Sequence, residues 1–216
     1  MKNAWNLKGL DPYHWVMTGK ESWNTEDYYA TGKESVDKYI TPLFEGVDTS
    51  KMRAIAVGCG TGRMVRYMKF GEVMGTDVSD TMIEKAKEDN PGQTFYATNG
   101  VELPFANGSF DFVFSYATLQ HFNRKSYALE TIKEMRRILK PGGKARINVR
   151  GFPGNAWGRV KWWKSFEYGY AAIATIRHIP VVYFRFYDSL FGVPFKEREL
   201  PGKVWREDSR KLWIDL

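Results

Sequence analysis

The chain has 216 residues, 43% of them hydrophobic and 26% charged, the balance of a soluble globular protein long enough to enclose a sizeable core. One cysteine, Cys59, and three histidines without metal-ligand spacing, His14, His121 and His178, exclude an intrachain disulfide framework and argue against zinc, so no metal is expected. The net charge of +7 is uneven: residues 136–216 hold 17 Lys and Arg against 7 Asp and Glu, and residues 1–135 hold 15 against 18. A basic second half suits an anionic substrate, nucleic acid or membrane surface, and equally a solvated face with no partner.

Residues 3–32, rich in Trp and Tyr and broken by Asp11-Pro12 and Thr18-Gly19-Lys20, read as an irregular or part-helical lead-in. Val36, Tyr39, Ile40 and Leu43 fall at i, i+3, i+4 and i+7 and predict a helix over 35–44. A buried strand follows at Ala54–Val57, ending in Gly58-Cys59-Gly60-Thr61-Gly62, and Met64, Val65 and Met68 suggest a helix after it. Glu72–Asp77 predicts a second strand, and Ser79 or Asp80 a cap for a helix with Met82, Ile83 and Ala86 inward. Thr94–Ala97 is a short third strand. Phe110–Tyr116 is a near-continuous apolar run, as a central strand covered on both faces requires.

Tyr127–Leu139 predicts an amphipathic helix with Leu129, Ile132, Met135, Arg136 and Leu139 near one another, stopped by Pro141-Gly142-Gly143. Lys144–Val149 gives a fifth strand. Strands and helices alternating at these lengths predict a parallel, doubly wound α/β sheet. The stretch 152–191 is less regular and unusually aromatic: Trp163, Phe166, Tyr170 and Ile173 fall near one helical face, and Ile179–Tyr187 is an apolar run containing Arg185. Residues 195–199 and 211–216 are expected to form an antiparallel edge pair. No run approaches the roughly 18 apolar residues of a membrane span, and Met1–Trp5 lacks a secretory signal, so a cytoplasmic location is expected.

A glycine-rich turn after a first parallel strand lets a ligand approach the backbone, and its amides favour polar or anionic groups. Here the spacing is G-x-G-x-G, from Gly58 through Gly60 to Gly62, with Arg63 where the dinucleotide fingerprint needs its third glycine. An NAD-dependent oxidoreductase is therefore disfavoured. Asp77 lies 19 residues after Gly58 at the end of the second strand. A carboxylate there can accept both hydroxyls of a ribose. Taken alone, Asp77 can equally cap the following helix, and the glycines can form a plain tight turn.

Five motifs in order, Val57–Arg63, Gly75–Ser79, Leu103-Pro104-Phe105, Ser109–Val113 and Leu139–Gly143, resemble the successive signatures of class I S-adenosylmethionine-dependent methyltransferases. The likeness covers about residues 35–150. Trp23–Gly32 and Asn99–Leu103 are similar to a small-molecule branch of that family, methyltransferase type 11-like, whose members often accompany carbohydrate biosynthesis. The resemblance implies a Rossmann-like, mostly parallel seven-stranded sheet with helices on both faces and an antiparallel C-terminal edge strand. It implies a lead-in or lid over 1–34, a cofactor-binding core over 35–150, an acceptor-side insertion over 151–192 and edge strands over 193–216.

The cofactor so implied is S-adenosyl-L-methionine. By the resemblance Gly58, Cys59, Gly60 and Gly62 line its methionine part, Arg63 is a further cofactor-binding residue, and Asp77 holds the ribose. Val78 and Met82 lie against the adenine, and Asn99, Gly100 and Val101 face its edge. Ser115 and Tyr116 border the sulfonium and the acceptor, and Tyr29 and Gly32 close the site from the lead-in. One departure is Ala56, where the family usually has an acidic residue.

Transfer of a methyl to a hydroxyl gains from a positioned base. His121 is the candidate, with Tyr116 and His14 as weaker alternatives, although His121 can also simply cap its own turn. The expected partner is a small-molecule acceptor, a sugar or glycoside hydroxyl as the first choice. A lipid or RNA acceptor and a non-catalytic cofactor-binding module are the alternatives. Trp157, Trp162, Trp163, Phe166, Tyr168 and Tyr170 among Arg159, Lys161 and Lys164 suit an acceptor lid, or a membrane-surface or homo-oligomer contact through 157–190, or an ordinary core helix with a basic outer face. No Asn-Pro-Pro-Tyr-like tetrad follows the fourth strand, where the chain reads Ser115-Tyr116-Ala117-Thr118, so nucleic acid has no firm support.

Overall fold

A computed structural model describes residues 2–10, 23–122, 124–150, 160–165, 169–176, 179–186, 200–207 and 211–216. The helices are α1 (Lys2–Lys8), α2 (Thr25–Tyr39), α3 (Asp80–Asp89) and α4 (Lys125–Ile138). The strands are β1 (Arg53–Val57), β2 (Glu72–Asp77), β3 (Thr94–Ala97), β4 (Phe110–Ser115) and β5 (Leu139–Arg150), then β6 (Val160–Ser165), β7 (Gly169–Ile176), β8 (Ile179–Phe186), β9 (Lys203–Arg206) and β10 (Lys211–Asp215). Seven of them form one mixed sheet in the order β3-β2-β1-β4-β5-β10-β9, and β6-β7-β8 form a second. The first five are parallel and β9 runs antiparallel to β10, the doubly wound arrangement expected.

Two compact units emerge, residues 1–116 with 130–147, and residues 117–129 with 148–216. In the first, β1 lies between β2 and β4, with Ala54, Ile55, Ala56 and Val57 all buried. Small and β-branched residues without polar atoms suit a strand covered on both faces. Phe112, Phe114 and Tyr116 follow one another on one face of β4, stacked at 6.1 and 6.4 Å between ring centroids. Phe44 and Phe70 close on Phe112 at 5.0 and 5.5 Å. Ser79 caps α3, its hydroxyl accepting from Met82 N at 3.2 Å, and Met82, Ile83 and Ala86 are buried as expected.

Several local expectations are corrected. The helix expected over 35–44 begins ten residues earlier, at Thr25, where Asn24 accepts from Asp27 N at 2.7 Å; its end is a separate 3-10 turn, Thr41–Phe44, with Pro42 near its start. The expected break between residues 34 and 35 thus falls inside α2. After the glycine turn stands only a 3-10 turn, Val65–Tyr67, in place of a helix. On α4 the buried stripe is Ala128, Ile132, Met135 and Ile138, and Arg136 is exposed. Pro141–Gly143 lies within β5 as an irregularity: β5 advances from Leu139 to Lys144 while β4 advances from Phe110 to Phe112.

In the second unit the helical face expected through Trp163, Tyr170 and Ile173 is replaced by antiparallel strands, Trp163 pairing with Ala171 and Ile173 with Val182. Aromatic and β-branched composition favours strands, and it outweighs the short helical period. β9 lies at Lys203–Arg206, pairing with β10 through Trp205↔Trp213; the expected 195–199 strand lies outside the described residues, as do His14, Trp157, Arg159, Phe166, Tyr168 and His178. Trp213 is fully buried and stacks on Trp205 at 5.7 Å. Asn148 ties this unit together, donating to Leu212 O at 3.2 Å and accepting from Ala117 N at 3.3 Å. Among the described residues no helix is long and apolar enough to cross a membrane, and no group of His, Cys, Asp and Glu could hold a metal ion.

Candidate functional site

The turn after β1 is zipped to β2, because Gly58 N and Cys59 N both donate to Thr76 O, at 2.7 and 2.8 Å. Two parallel strand ends therefore deliver the turn and Asp77 to one place. Gly60 N donates to Asp77 Oδ2 at 2.9 Å, and Ser79 N to Oδ1 at 3.0 Å. Gly60 is left-handed, φ 55°, and a Cβ built there would meet nothing within 4 Å. Only glycine takes that conformation without strain, and the space beside it is open. Burial pushes the Asp77 carboxyl above its ordinary value, opposed by the amides of Ser79, Gly60 and Val78.

Exposure along the turn is sharply divided. Gly58, Cys59, Gly60, Asp77 and Val78 are partly exposed, whereas Thr61 through Val65 are buried. The exposed strip is the accessible wall of the site. The buried half is held by α2: Tyr28 Oη and Thr61 Oγ1 lie 2.8 Å apart, and Tyr29 Oη reaches Thr61 O at 3.1 Å. Asn90, after α3, donates to the same Thr61 carbonyl at 2.9 Å. Gly32 of α2 sits against the Arg63 carbonyl so closely that a Cβ would collide with backbone.

Arg63 is buried, and its Nη1 donates to Thr31 Oγ1 at 2.9 Å and Ser35 Oγ at 3.4 Å. Tyr29 and Gly32 thus stand behind the turn, and Gly62 backs onto Phe95 and Asn90. Burial pushes the Cys59 thiol up, with Asp77 adding to the effect.

The other expected residues are placed as follows. Met82 is buried on α3. Asn99 is exposed and closes its own turn, Oδ1 accepting from Val101 N and Glu102 N at 2.9 and 2.8 Å while Nδ2 donates to Glu102 at 3.0 Å. Gly100 N is engaged by Thr98 Oγ1 at 3.2 Å. Ser115 is buried and donates to Val57 O at 2.9 Å, pinning the ends of β4 and β1 together. Tyr116, half-buried, packs on Phe114 and on Tyr39 of α2, the latter at 5.2 Å. Ala56 is buried in β1 opposite Gly75 and Phe114.

His121 lies in the second unit, on the 3-10 turn Leu119–His121; its backbone N donates to Thr118 O at 3.0 Å and its Nε2 is 3.3 Å from Gln120 Nε2. Sequence reasoning missed Thr61, Asn90 and Ala117. Ala117 directly follows Tyr116 and holds φ 56°, a strained conformation for a residue with a Cβ. Nothing in the order Tyr-Ala-Thr signals it.

Residues 55–147 match the family model described as a methyltransferase domain. Among curated proteins, the tRNA (carboxymethyluridine(34)-5-O)-methyltransferase of Saccharomyces cerevisiae is 34% identical over 93 residues, 43% of this chain and 33% of that protein. The first curated relatives are longer, with between 14% and 48% of their length matched. Among solved structures, the PH0226 protein from Pyrococcus horikoshii OT3 shares the fold with a TM-score of 0.60 at 21% identity, over 94% of this chain and 97% of that one. The amino pentose methyltransferase CalS10 from Micromonospora echinaspora, solved with S-adenosylmethionine bound, shares it with a TM-score of 0.58 at 15% identity, over 91% and 98%.

Proposed function

We propose that this chain, whose residues 55–147 match a methyltransferase domain, is an S-adenosylmethionine-dependent methyltransferase that methylates a small-molecule hydroxyl, of a sugar or glycoside. The observation that carries the cofactor half is the exposed strip itself. An open left-handed Gly60 lies beside the doubly held carboxylate of Asp77. A carboxylate with lone pairs left over beside the glycines of the turn fits a ribose and the chain attached to it.

When bound, S-adenosylmethionine supplies a methyl group on an electrophilic sulfonium. The protein's share is alignment and exclusion of water. Asp77 would accept hydrogen bonds from the two ribose hydroxyls, Gly58 and Gly60 present no side chain to the wall, and Val78 would border the adenine. Tyr116 would flank the acceptor, and a base positioned at its hydroxyl, the role for which His121 is the candidate, contributes about 10²–10⁴-fold. The sugar acceptor is supported by the fold shared with an amino pentose methyltransferase and by the aromatic, cationic stretch 157–190.

A second reading, an RNA acceptor, is favoured by the relative acting on tRNA and by the basic half of the chain. Titration with S-adenosylhomocysteine tests the cofactor; no binding at millimolar concentration defeats it. Turnover against a panel of glycosides, phenols, fatty acids and tRNA then decides the acceptor. Turnover of tRNA alone overturns the sugar reading, and turnover of nothing leaves a binding module.

A further inference from the structure

We propose that Asn148 is a positioning residue for methyl transfer, holding Ala117 in the left-handed turn from which the segment carrying His121 departs. Among the described residues, Ala117 is the one non-glycine with a positive φ, 56°. In that conformation a Cβ crowds the following carbonyl oxygen, so an alanine there needs an outside hold. Ala117 has no polar side chain of its own to supply it. It directly follows Tyr116, and it opens the segment whose 3-10 turn, Leu119–His121, is anchored by the fully buried Leu119. The backbone angle at Ala117 therefore sets the direction in which that turn starts.

The hold is the carboxamide of Asn148, 4% exposed on β5. Its Oδ1 accepts from Ala117 N at 3.3 Å, and its Nδ2 donates to Leu212 O of β10 at 3.2 Å. Only one orientation of the amide serves both, because the flipped group sets donor against donor and acceptor against acceptor. The two bonds thus fix each other, and burial makes the loss of either one costly. Ser115, two residues before Ala117, pairs with Ile147 in the β4–β5 ladder. The ladder carries the chain to Ser115, and past it the Asn148 side chain takes over. Strain in the backbone next to a site, held by a buried polar group, is how a fold fixes geometry that local preference opposes. The inference rests on the reading of Tyr116 and His121 as acceptor-side residues.

The experiment compares the wild type with Asn148→Ala, Asn148→Asp, Ala117→Gly and the double variant of Asn148→Ala with Ala117→Gly. Thermal melts test the hold. Glycine relieves the left-handed strain, so Ala117→Gly is expected to raise the melting temperature by about 2–4 °C in the wild-type background. Once Asn148 is gone, Ala117 relaxes, and the same change is expected to bring no rise. An equal rise in both backgrounds overturns the proposal. Ring-proton NMR, with His121 assigned through His121→Gln, tests the reach of the hold. The His121 resonances are expected to shift in Asn148→Ala and to return toward their wild-type positions in Asn148→Asp, which keeps the acceptor oxygen. Resonances that do not move in Asn148→Ala overturn it as well.

Turnover of the acceptor that the panel selects separates positioning from a merely structural role. In Asn148→Ala kcat is expected to fall about ten- to hundredfold while KM for S-adenosylmethionine stays as it was; an unchanged kcat refutes the proposal. If nothing in the panel is turned over, the sugar reading fails, and the melts and the His121 resonances still judge Asn148. Should Asn148→Ala fail to fold, hydrogen exchange in the wild type decides. A protected Ala117 amide supports the hold, and one that exchanges at the rate of an unfolded chain refutes it.

Discussion

The hydroxyl of Tyr29 lies 2.8 Å from the carboxylate of Asp89 and 3.1 Å from the carbonyl of Thr61, so one side chain of α2 bridges the end of α3 and the glycine turn. Burial, then the bond to Asp89, pushes the Tyr29 hydroxyl up, and it stays protonated as the donor. Asn90 meets the same carbonyl from the other side, which fixes the Thr61–Gly62 peptide from behind. Tyr29→Phe removes the donor and leaves the half-buried Asp89 with Lys85 at 2.9 Å as its counter-ion. The expected loss is about 1–3 kcal/mol of stability, read from urea unfolding. A lower S-adenosylhomocysteine affinity accompanies it; unchanged stability would contradict the brace.

Gly32→Ala is expected to be worse than its chemistry suggests. In an exposed helix interior this change gains up to about 1 kcal/mol. Here the new Cβ collides with the backbone carbonyl of Arg63, which cannot swing aside. Overpacking of this kind costs about 1–3 kcal/mol and pushes α2 off the turn. A thermal melt above that of the wild type would show that α2 does not pack this way.

The wall of the site was legible in the sequence because its chemistry is local in pattern: Gly58, Gly60 and Asp77 stand at fixed spacing on two strands whose apolar runs are plain. The support behind it was not. Tyr29, Thr61 and Asn90 are far apart in the chain and meet through a carbonyl, which leaves no residue signature. The start of α2 was hidden for a related reason: Thr25–Gly32 carries few apolar residues and a helix-weakening glycine, and only packing against Arg63 explains why that glycine is there. Strands β6–β8 were misjudged because short apolar runs fit both periods.

Two of the five motifs that resemble the family meet each other and not the site. Lys140 Nζ donates to both oxygens of Asp111, at 2.9 and 2.8 Å, and Arg53 N donates to Asp111 Oδ2 at 2.8 Å. Burial raises the Asp111 carboxyl, but the Arg53 amide and Lys140 outweigh it and hold the group below its ordinary value. A depressed carboxyl contributes stability that is present above its unfolded value and lost as pH falls through the folded one. Asp111→Asn is expected to cost about 1 kcal/mol, discounted for the partly exposed pair, and to flatten the acid limb of the stability profile. S-adenosylhomocysteine affinity is expected to stay as it was; a loss there would place this pair in the site.

Asp77 has the opposite sign. Burial raises its folded value above the ordinary 3.8, so the native state takes up a proton more readily than the unfolded chain. In the free protein its contribution to stability is therefore fullest below pH 3.8 and is lost as pH rises through the raised value. Ligand binding runs the other way, because the ribose hydroxyls need the ionised carboxylate as acceptor. S-adenosylhomocysteine affinity is thus expected to fall as pH drops through the same window in which the free protein gains from protonation, and the ligand-induced rise in melting temperature shrinks with it. Asp77→Asn, with one acceptor oxygen in place of two, cannot satisfy Gly60 N, Ser79 N and a ribose together; it is expected to bind weakly at every pH, with the acid limb gone. Calorimetry from pH 4 to 8 on both proteins checks this. An acid limb that persists in Asp77→Asn would assign the titration to another group and remove Asp77 from the ribose.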